Sequence, residues 1–312
     1  MTKARKLSFV IPAKNEEGSI EILYQEIISV VKNKKYNYEI VFIDDGSTDK
    51  TFENFTKLKK GDPCVKVIKL RGNWGKAVAM QAGFTHATGD LIFTLDADLQ
   101  DNPKEIPKFI EKIDEGYDLV VGWKKERHDP LSKLISTRLF NGTVKLLTGL
   151  KIHDVNCGFK AYKKEVINDL PLYGDLFRLI PVIAQKQNYK VGEVIVEHRK
   201  RKHGKSKFGL ERSYKGMLDL LTVVFLTGYL KRPGHFFGGL GFLSFFGGFL
   251  VGMYITFLRF TTGSIQYRQP LLFLGILLMV IGVQLVTTGL LAELTLHLNQ
   301  KSSVANKTET IL

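Results

Sequence analysis

The sequence predicts an α/β domain built on a mostly parallel sheet, followed by juxtamembrane helices and two transmembrane helices. Three observations carry that expectation. Short β-rich apolar runs alternate with stretches of helical spacing up to residue 122. One run ends in Phe93-Thr94-Leu95-Asp96-Ala97-Asp98-Leu99-Gln100, two carboxylates one residue apart at a strand end. In the last third, residues 234–258 and 269–292 contain no Asp, Glu, Lys or Arg.

Taken in order, residues 7–12, 39–44, 65–71, 91–96 and 118–122 read as strands. The stretches near 17–32, 48–60, 75–87 and 103–115 carry helical spacing or helix-start signals. Such alternation builds a parallel sheet covered by helices, and ligands bind it beyond the carboxyl ends of the strands. Polar residues gather at those ends: Pro12-Ala13-Lys14-Asn15-Glu16, Asp44-Asp45-Gly46-Ser47-Thr48-Asp49 and Asp96-Ala97-Asp98. Three strand ends are therefore expected to converge on one site. Asp49 fits a turn before a capped helix, whereas Asp44 at the strand end reads as functional. The paired carboxylates suit Mg2+ or Mn2+, which favour oxygen ligands and keep positions open for phosphate.

A chain of 312 residues, 44% hydrophobic, has ample material for one large domain or two. Cys64 and Cys157 form neither a disulfide framework nor a metal spacing, which suggests a reducing compartment. Met1-Thr2-Lys3-Ala4-Arg5-Lys6 leads straight into a strand rather than an export signal, so a cytoplasmic N-terminal domain is expected.

The net charge of +14 is unevenly placed. Residues 199–232 carry ten Lys or Arg against Glu211 and Asp219, just before the first uncharged stretch. Positive flanks stay cytoplasmic and attract anionic headgroups. No nucleic-acid motif accompanies the cluster, so no nucleic-acid partner is expected. Each uncharged stretch exceeds the roughly 20 residues that cross a hydrocarbon core. Together they predict a hairpin with both termini cytoplasmic and residues 261–268 outside. Gly248 and Gly252 have the small-xxx-small spacing of a helix–helix contact. Residues 210–230 read as one or two helices along the membrane surface. The expected organisation is a catalytic domain at 1–208, juxtamembrane amphipathic helices at 209–232, a transmembrane hairpin at 233–298 and a cytoplasmic tail at 299–312.

Six motifs then stand in order: Val10-Ile11-Pro12-Ala13-Lys14-Asn15-Glu16-Glu17, Ile43-Asp44-Asp45-Gly46-Ser47-Thr48-Asp49, Gly72-Asn73-Trp74-Gly75-Lys76, Asp96-Ala97-Asp98-Leu99-Gln100-Asp101, Asp154-Val155-Asn156-Cys157-Gly158-Phe159-Lys160 and Arg201-Lys202-His203-Gly204-Lys205-Ser206-Lys207. On them the chain resembles inverting glycosyltransferases of family 2 with the GT-A fold, in the membrane-anchored branch that loads sugar onto polyprenyl phosphate. It is similar to bactoprenol glucosyltransferases and, more distantly, to dolichyl-phosphate mannose synthases. The resemblance implies that Pro12, Ala13 and Glu16 line the nucleotide pocket and that Asp44 contacts base or ribose. It implies that Asp96, Ala97 and Asp98 meet diphosphate and metal, with Gln100 a further metal ligand. Lys76 and Lys124 fall on the nucleotide side, and Ser136, Arg201 and Lys207 at the acceptor phosphate; Asp96, Asp98, Arg201 and Lys207 make up the implied catalytic set. One departure concerns Gly122-Trp123-Lys124-Lys125: relatives often carry Arg after this glycine, and Lys124 supplies charge without a bidentate fork.

The implied activity is metal-dependent transfer of a hexose from a nucleotide sugar to polyprenyl (undecaprenyl) phosphate, for cell-envelope glycan modification. It takes place at the cytoplasmic face of the inner (plasma) membrane. UDP-glucose is the first choice, because Asp45-Gly46-Ser47-Thr48-Asp49 resembles the glucosyl branch more than the mannosyl one. The alternatives are a GDP-mannose-dependent transferase and a non-catalytic nucleotide- or lipid-binding membrane adaptor. Membrane lipids are expected partners, and homo-oligomerisation is left open. Asp154 and Asp175 are candidates for orienting the acceptor or nearby cations rather than for proton abstraction.

Overall fold

The structure, a computed structural model, describes residues 5–126, 131–169, 176–199, 233–263 and 267–300. The chain forms two units, residues 1–223 and 224–312.

In the first unit the elements are β1 (Lys6–Ala13), α1 (Ile20–Asn33), β2 (Asn37–Asp44), α2 (Thr51–Gly61), β3 (Val65–Lys69), α3 (Lys76–His86) and β4 (Leu91–Thr94). They are followed by a 3-10 turn (Pro103–Glu105), α4 (Ile106–Asp114), β5 (Leu119–Trp123), α5 (Leu131–Thr148), β6 (Lys160–Lys163), α6 (Lys164–Asp169), α7 (Ile180–Lys186) and β7 (Val191–Ile195). The strands form one sheet in the order β3-β2-β1-β4-β6-β5-β7. Neighbours are parallel except where β6 runs antiparallel to both β4 and β5.

The five expected strands and four expected helices all form. Central strands read as continuous apolar runs because both faces are covered: Phe9, Val10 and Ile11 of β1 and Ile40, Val41, Phe42 and Ile43 of β2 are fully buried. A chain of rings ties the sheet to α4, with Phe9–Phe93 at 5.3 Å, Phe93–Phe109 at 6.1 Å and Phe109–Phe159 at 4.3 Å. Each buried phenylalanine contributes about 1.5–3 kcal/mol. The expected strand 91–96 stops at Thr94, which frees Asp96 and Asp98 to turn out of the ladder. β6, Lys-Ala-Tyr-Lys, is too short and too charged to show a strand period.

In the second unit, helices Pro233–Thr262 and Gln269–Gln300 pack against each other. Within them, Gly234–Thr262 and Gln269–Thr295 are long and apolar enough to cross a membrane. Many of their large side chains face outward, Phe242, Leu243 and Phe260 among them, unlike those of a soluble core helix. The contact runs along glycines seven residues apart. A Cβ on Gly241 would stand 2.6 Å from the Gly282 carbonyl oxygen, and one on Gly289 would stand 3.0 Å from Phe237 Cβ. Gly248 meets Gly275 in the same row, so the helices are antiparallel. Gly252 faces open space, so the contact uses Gly248 without its expected companion. The expected surface helices at 210–230 and most of the tail lie outside the described residues.

Candidate active site

The parallel register brings the expected strand ends together. Ala13 closes β1 opposite Asp44 of β2, and Val10 of β1 faces Thr94 of β4, two residues before Asp96. The first two loops are sewn together by side chains. Ser47 Oγ accepts the Asn15 N–H at 3.0 Å, Asn15 Oδ1 accepts the Thr48 N–H at 2.8 Å, and Thr51 Oγ1 accepts the Glu16 N–H at 2.8 Å. Asp49 accepts the Thr51 N–H at 3.0 Å, the turn role that its position suggested. Glu16 receives the Ser19 hydroxyl at 3.2 Å, beside the start of α1.

Asp44 is fully buried. Its Oδ1 accepts the Ser47 N–H at 3.1 Å, while no donor among the described residues reaches Oδ2. A buried carboxylate oxygen without a partner is costly, and its place at the strand end suits a donor supplied by a ligand. Asp45 has a different task. It accepts the Trp74 N–H at 2.7 Å and the Gly75 N–H at 3.0 Å, holding the loop before α3. Gly46, at φ +70°, brings this turn against the Gly72–Asn73 backbone, where a Cβ would stand 2.7 Å from both residues. Lys76, the first residue of α3, thereby reaches the Asp96 carboxylate and forms an ion pair with it.

Asp96 sits among cations in the packed wall of the sheet end. Burial opposes its ionisation, but the ammonium groups of Lys76, Lys124 and Lys160 outweigh it and hold the carboxyl down at about 2. Gly158 lies directly against this carboxylate, where a Cβ would stand 2.5 Å from Oδ2, and the Gly158 carbonyl accepts the Thr94 hydroxyl at 2.8 Å. The Asp154-to-Lys160 motif therefore forms the wall of the site. Lys160, opposite Thr94 in the sheet, is buried and donates to the Cys157 carbonyl. Burial, with Lys76 acting in the same direction, pushes its ammonium down to about 8. Burial also pushes the Cys157 thiol up to about 12, so it is a packing residue rather than a nucleophile. Asp154 is buried in this wall, and His153 beside it stacks on Trp123 at 4.0 Å and meets Glu193 at 2.6 Å.

Asp98 is buried, and its Oδ1 accepts the Gln100 N–H at 3.2 Å. The loop it belongs to is fastened to the segment after β7. Gln100 Nε2 lies 3.2 Å from His198 Nε2, the Arg199 N–H donates to the Gln100 carbonyl at 3.0 Å, and Asn102 donates to Glu197 at 2.6 Å. Lys124 comes in from β5 and pairs with buried Asp101 at 2.7 Å, which keeps its ammonium well above the ordinary lysine range although burial opposes this. The loop thus presents a carboxylate and an amide, oxygen donors of the kind Mn2+ and Mg2+ take, with the His198 imidazole in the segment facing it. Among the described residues no three His, Cys, Asp or Glu side chains are grouped to hold a metal alone.

His198, Asp101 and Lys160 carried no assigned role in the sequence. His198 had a signal, since it stands three residues before Arg201 in the motif. Pro12 and Ala13 end β1, and Ala97 is buried between the two carboxylates. Ser136 lies in α5, with its side chain outside the described set, while Arg201, Lys207 and Asp175 lie wholly outside it.

Comparison with known proteins decides what this arrangement is. Residues 8–170 match Glycosyl transferase family 2. The chain is 37% identical over 294 residues to a dodecaprenyl-phosphate galacturonate synthase of Rhizobium johnstonii, covering 93% of this chain and 87% of the relative. The chain belongs to glycosyl transferase family 2. It is also 35% identical over 290 residues to an undecaprenyl-phosphate 4-deoxy-4-formamido-L-arabinose transferase of Edwardsiella ictaluri, covering 92% and 87%. Among solved structures, this family 2 glycosyltransferase resembles glucosyl-3-phosphoglycerate synthase of Mycobacterium tuberculosis bound to phosphoglyceric acid. The TM-score is 0.54 at 22% identity, over 70% of this chain and 79% of that one. A second structure of that enzyme, with Mn2+, UDP-glucose and phosphoglyceric acid, gives 0.54 at 20% identity over 70% and 80%. These likenesses show the GT-A fold.

Proposed function

We propose that this glycosyltransferase moves a hexose from a nucleotide sugar to polyprenyl phosphate, most simply glucose from UDP-glucose to undecaprenyl phosphate. The observation that carries the reading is the fastening of the Asp98–Asn102 loop to Glu197–Arg199. It joins the carboxylate centre to the root of the Arg201-x-x-Gly204-x-Ser206-Lys207 motif, where a lipid phosphate and a nucleotide diphosphate both need cations. The two polyprenyl-phosphate transferases among the relatives support the acceptor, while the sugars in their names are galacturonate and 4-deoxy-4-formamido-L-arabinose rather than glucose.

In this reading Pro12, Ala13, Glu16 and Asp44 hold the nucleoside. Lys76 and Lys124 stand on the diphosphate side, and Asp96, paired with Lys76, keeps that lysine at the strand end. Asp98, Gln100 and His198 would hold the divalent cation, which when bound offsets charge on the departing nucleoside diphosphate. Ser136, Arg201 and Lys207 receive the acceptor phosphate. A phosphate oxygen attacks the anomeric carbon as the bond to the nucleoside diphosphate breaks, and the configuration inverts. No side chain need serve as base, because a phosphate monoester with a second pKa near 6 is already largely ionised at neutral pH. In this reading the domain limits are 1–208, 209–232, 233–298 and 299–312, with the catalytic domain at the cytoplasmic face of the inner membrane, a sidedness that the excess of Lys and Arg before the first apolar helix supports.

The test is turnover of the purified full chain with undecaprenyl phosphate and a panel of UDP-glucose, UDP-galacturonate and GDP-mannose, with the lipid product weighed by mass spectrometry. A hexosyl lipid phosphate is expected, and the donor that yields it names the sugar. Binding of donor and lipid without turnover would leave the adaptor reading. The hairpin is tested by Ser264→Cys, which should react with an impermeant maleimide from outside; reaction only after permeabilisation would refute the topology.

A further inference from the structure

Arg199 is the first of the ten cations that precede the first membrane-type helix, and it is the one of them that lies among the described residues. Its guanidinium Nη1 donates to both oxygens of Glu26 in α1, at 2.7 and 2.9 Å, and its side chain is 24% exposed. A cation so engaged is poorly placed to serve a lipid headgroup. Its main chain is paired as well: the Arg199 N–H donates to the Gln100 carbonyl at 3.0 Å, and the Arg199 carbonyl accepts Gln100 Nε2 at 3.4 Å.

These contacts close a circuit. The loop Asp98–Asn102 runs into the 3-10 turn Pro103–Glu105, that turn packs on α1, and α1 carries Glu26, which grips Arg199. Arg199 then returns to Gln100 through its backbone, while His198 beside it bridges to Asp101 and lies 3.2 Å from Gln100. Groups that orient metal ligands without touching the metal set its affinity, and their loss typically costs 10–100-fold.

We infer that Arg199, clasped by Glu26, is a positioning residue that holds His198 and Gln100 beside Asp98 for a divalent cation. The inference rests on the proposed metal-assisted transfer.

The experiment measures Mn2+ binding to the detergent-solubilised full chain in the presence of UDP, from the electron paramagnetic resonance signal of free Mn2+. Arg199→Ala and Glu26→Ala should each weaken Mn2+ about tenfold, and the double variant should be no worse than the weaker single one. The exchanged pair, Arg199→Glu with Glu26→Arg, should recover part of the loss. Lys112→Ala, which removes an exposed ion pair with Glu115, should leave the affinity unchanged. Should Arg199→Ala fail to fold, Glu26→Gln, which removes the charge at constant shape, should still weaken Mn2+ about threefold. Wild-type affinity in folded Arg199→Ala or in Glu26→Gln, or additive losses in the double variant, would overturn the inference alone. A wild-type protein that binds no Mn2+ with UDP would overturn the metal reading and this inference together.

Discussion

At the amino end of the sheet, Glu39 of β2 is buried and fully answered: the Ser8 hydroxyl donates at 2.6 Å, the Thr88 N–H at 2.5 Å, and the ammonium groups of Lys6 and Lys66 each stand at 2.9 Å. At the carboxyl end, Asp44 keeps an oxygen without a donor among the described residues, and Lys160 is buried with its charge disfavoured. The same strands supply both ends, so apolar burial is shared and the difference lies in satisfaction. A satisfied network serves the fold, whereas an unsatisfied one costs stability and is retained where a ligand completes it.

The comparison breaks most visibly at Asp98. Asp98→Asn is expected to cut transfer about a thousandfold, roughly 4 kcal/mol of transition-state stabilisation, while the melting temperature stays within a few degrees. Steady-state assay and thermal unfolding check it, and near-wild-type metal-dependent turnover would remove Asp98 from the site.

Glu39→Ala should do the reverse, costing about 3 kcal/mol of stability by stranding a buried network, read as a lower denaturant midpoint with donor affinity unchanged in the folded fraction. Burial alone would raise the Glu39 pKa, but the hydrogen bonds from Ser8, Thr88, Lys6 and Lys66 hold it well below the ordinary carboxylate range. Its contribution is therefore complete above the unfolded value near 4.3 and lost as pH falls toward the folded one. Wild type should lose stability progressively below pH 4.3, and Glu39→Ala should show a flatter acid limb.

Arg201→Ala and Lys207→Ala should each slow transfer about thirtyfold, near 2 kcal/mol for a charge-assisted phosphate contact. Lys200→Ala should cost no more than the roughly 1 kcal/mol of a surface cation. Equal small losses in all three would assign the cluster to membrane attraction.

The smallest effect sharpens the comparison. Lys160→Met should stabilise the chain by about 1 kcal/mol at pH 7, because it removes a buried ammonium that folding disfavours, while transfer falls. In wild type the unfolded chain keeps this proton above pH 8 and the folded chain releases it, so stability should rise between about pH 8 and 10. Lys160→Met should abolish that rise, and a variant less stable than wild type would show that the lysine is structurally satisfied.

The apolar runs of β1 to β5, the Asp96–Asp98 spacing and the two uncharged C-terminal stretches were legible in the chain itself, because a buried strand and a helix long and apolar enough to cross a membrane each write a local hydrophobic pattern. Asp49 as a turn residue and Asp44 at a strand end followed from position alone. Long-range pairings leave no such local trace. The antiparallel insertion of β6, the Gly158 contact with Asp96, the Lys124–Asp101 pair and the Glu26–Arg199 clasp each join residues far apart in sequence. Nothing in a neighbourhood of ten residues states which partner a charge will meet. Sequence by itself determined the alternation of elements and the chemistry available at the strand ends. Only the tertiary structure decided which carboxylate meets a lysine and which joins the loop facing His198, because that choice is made by distances across the sheet.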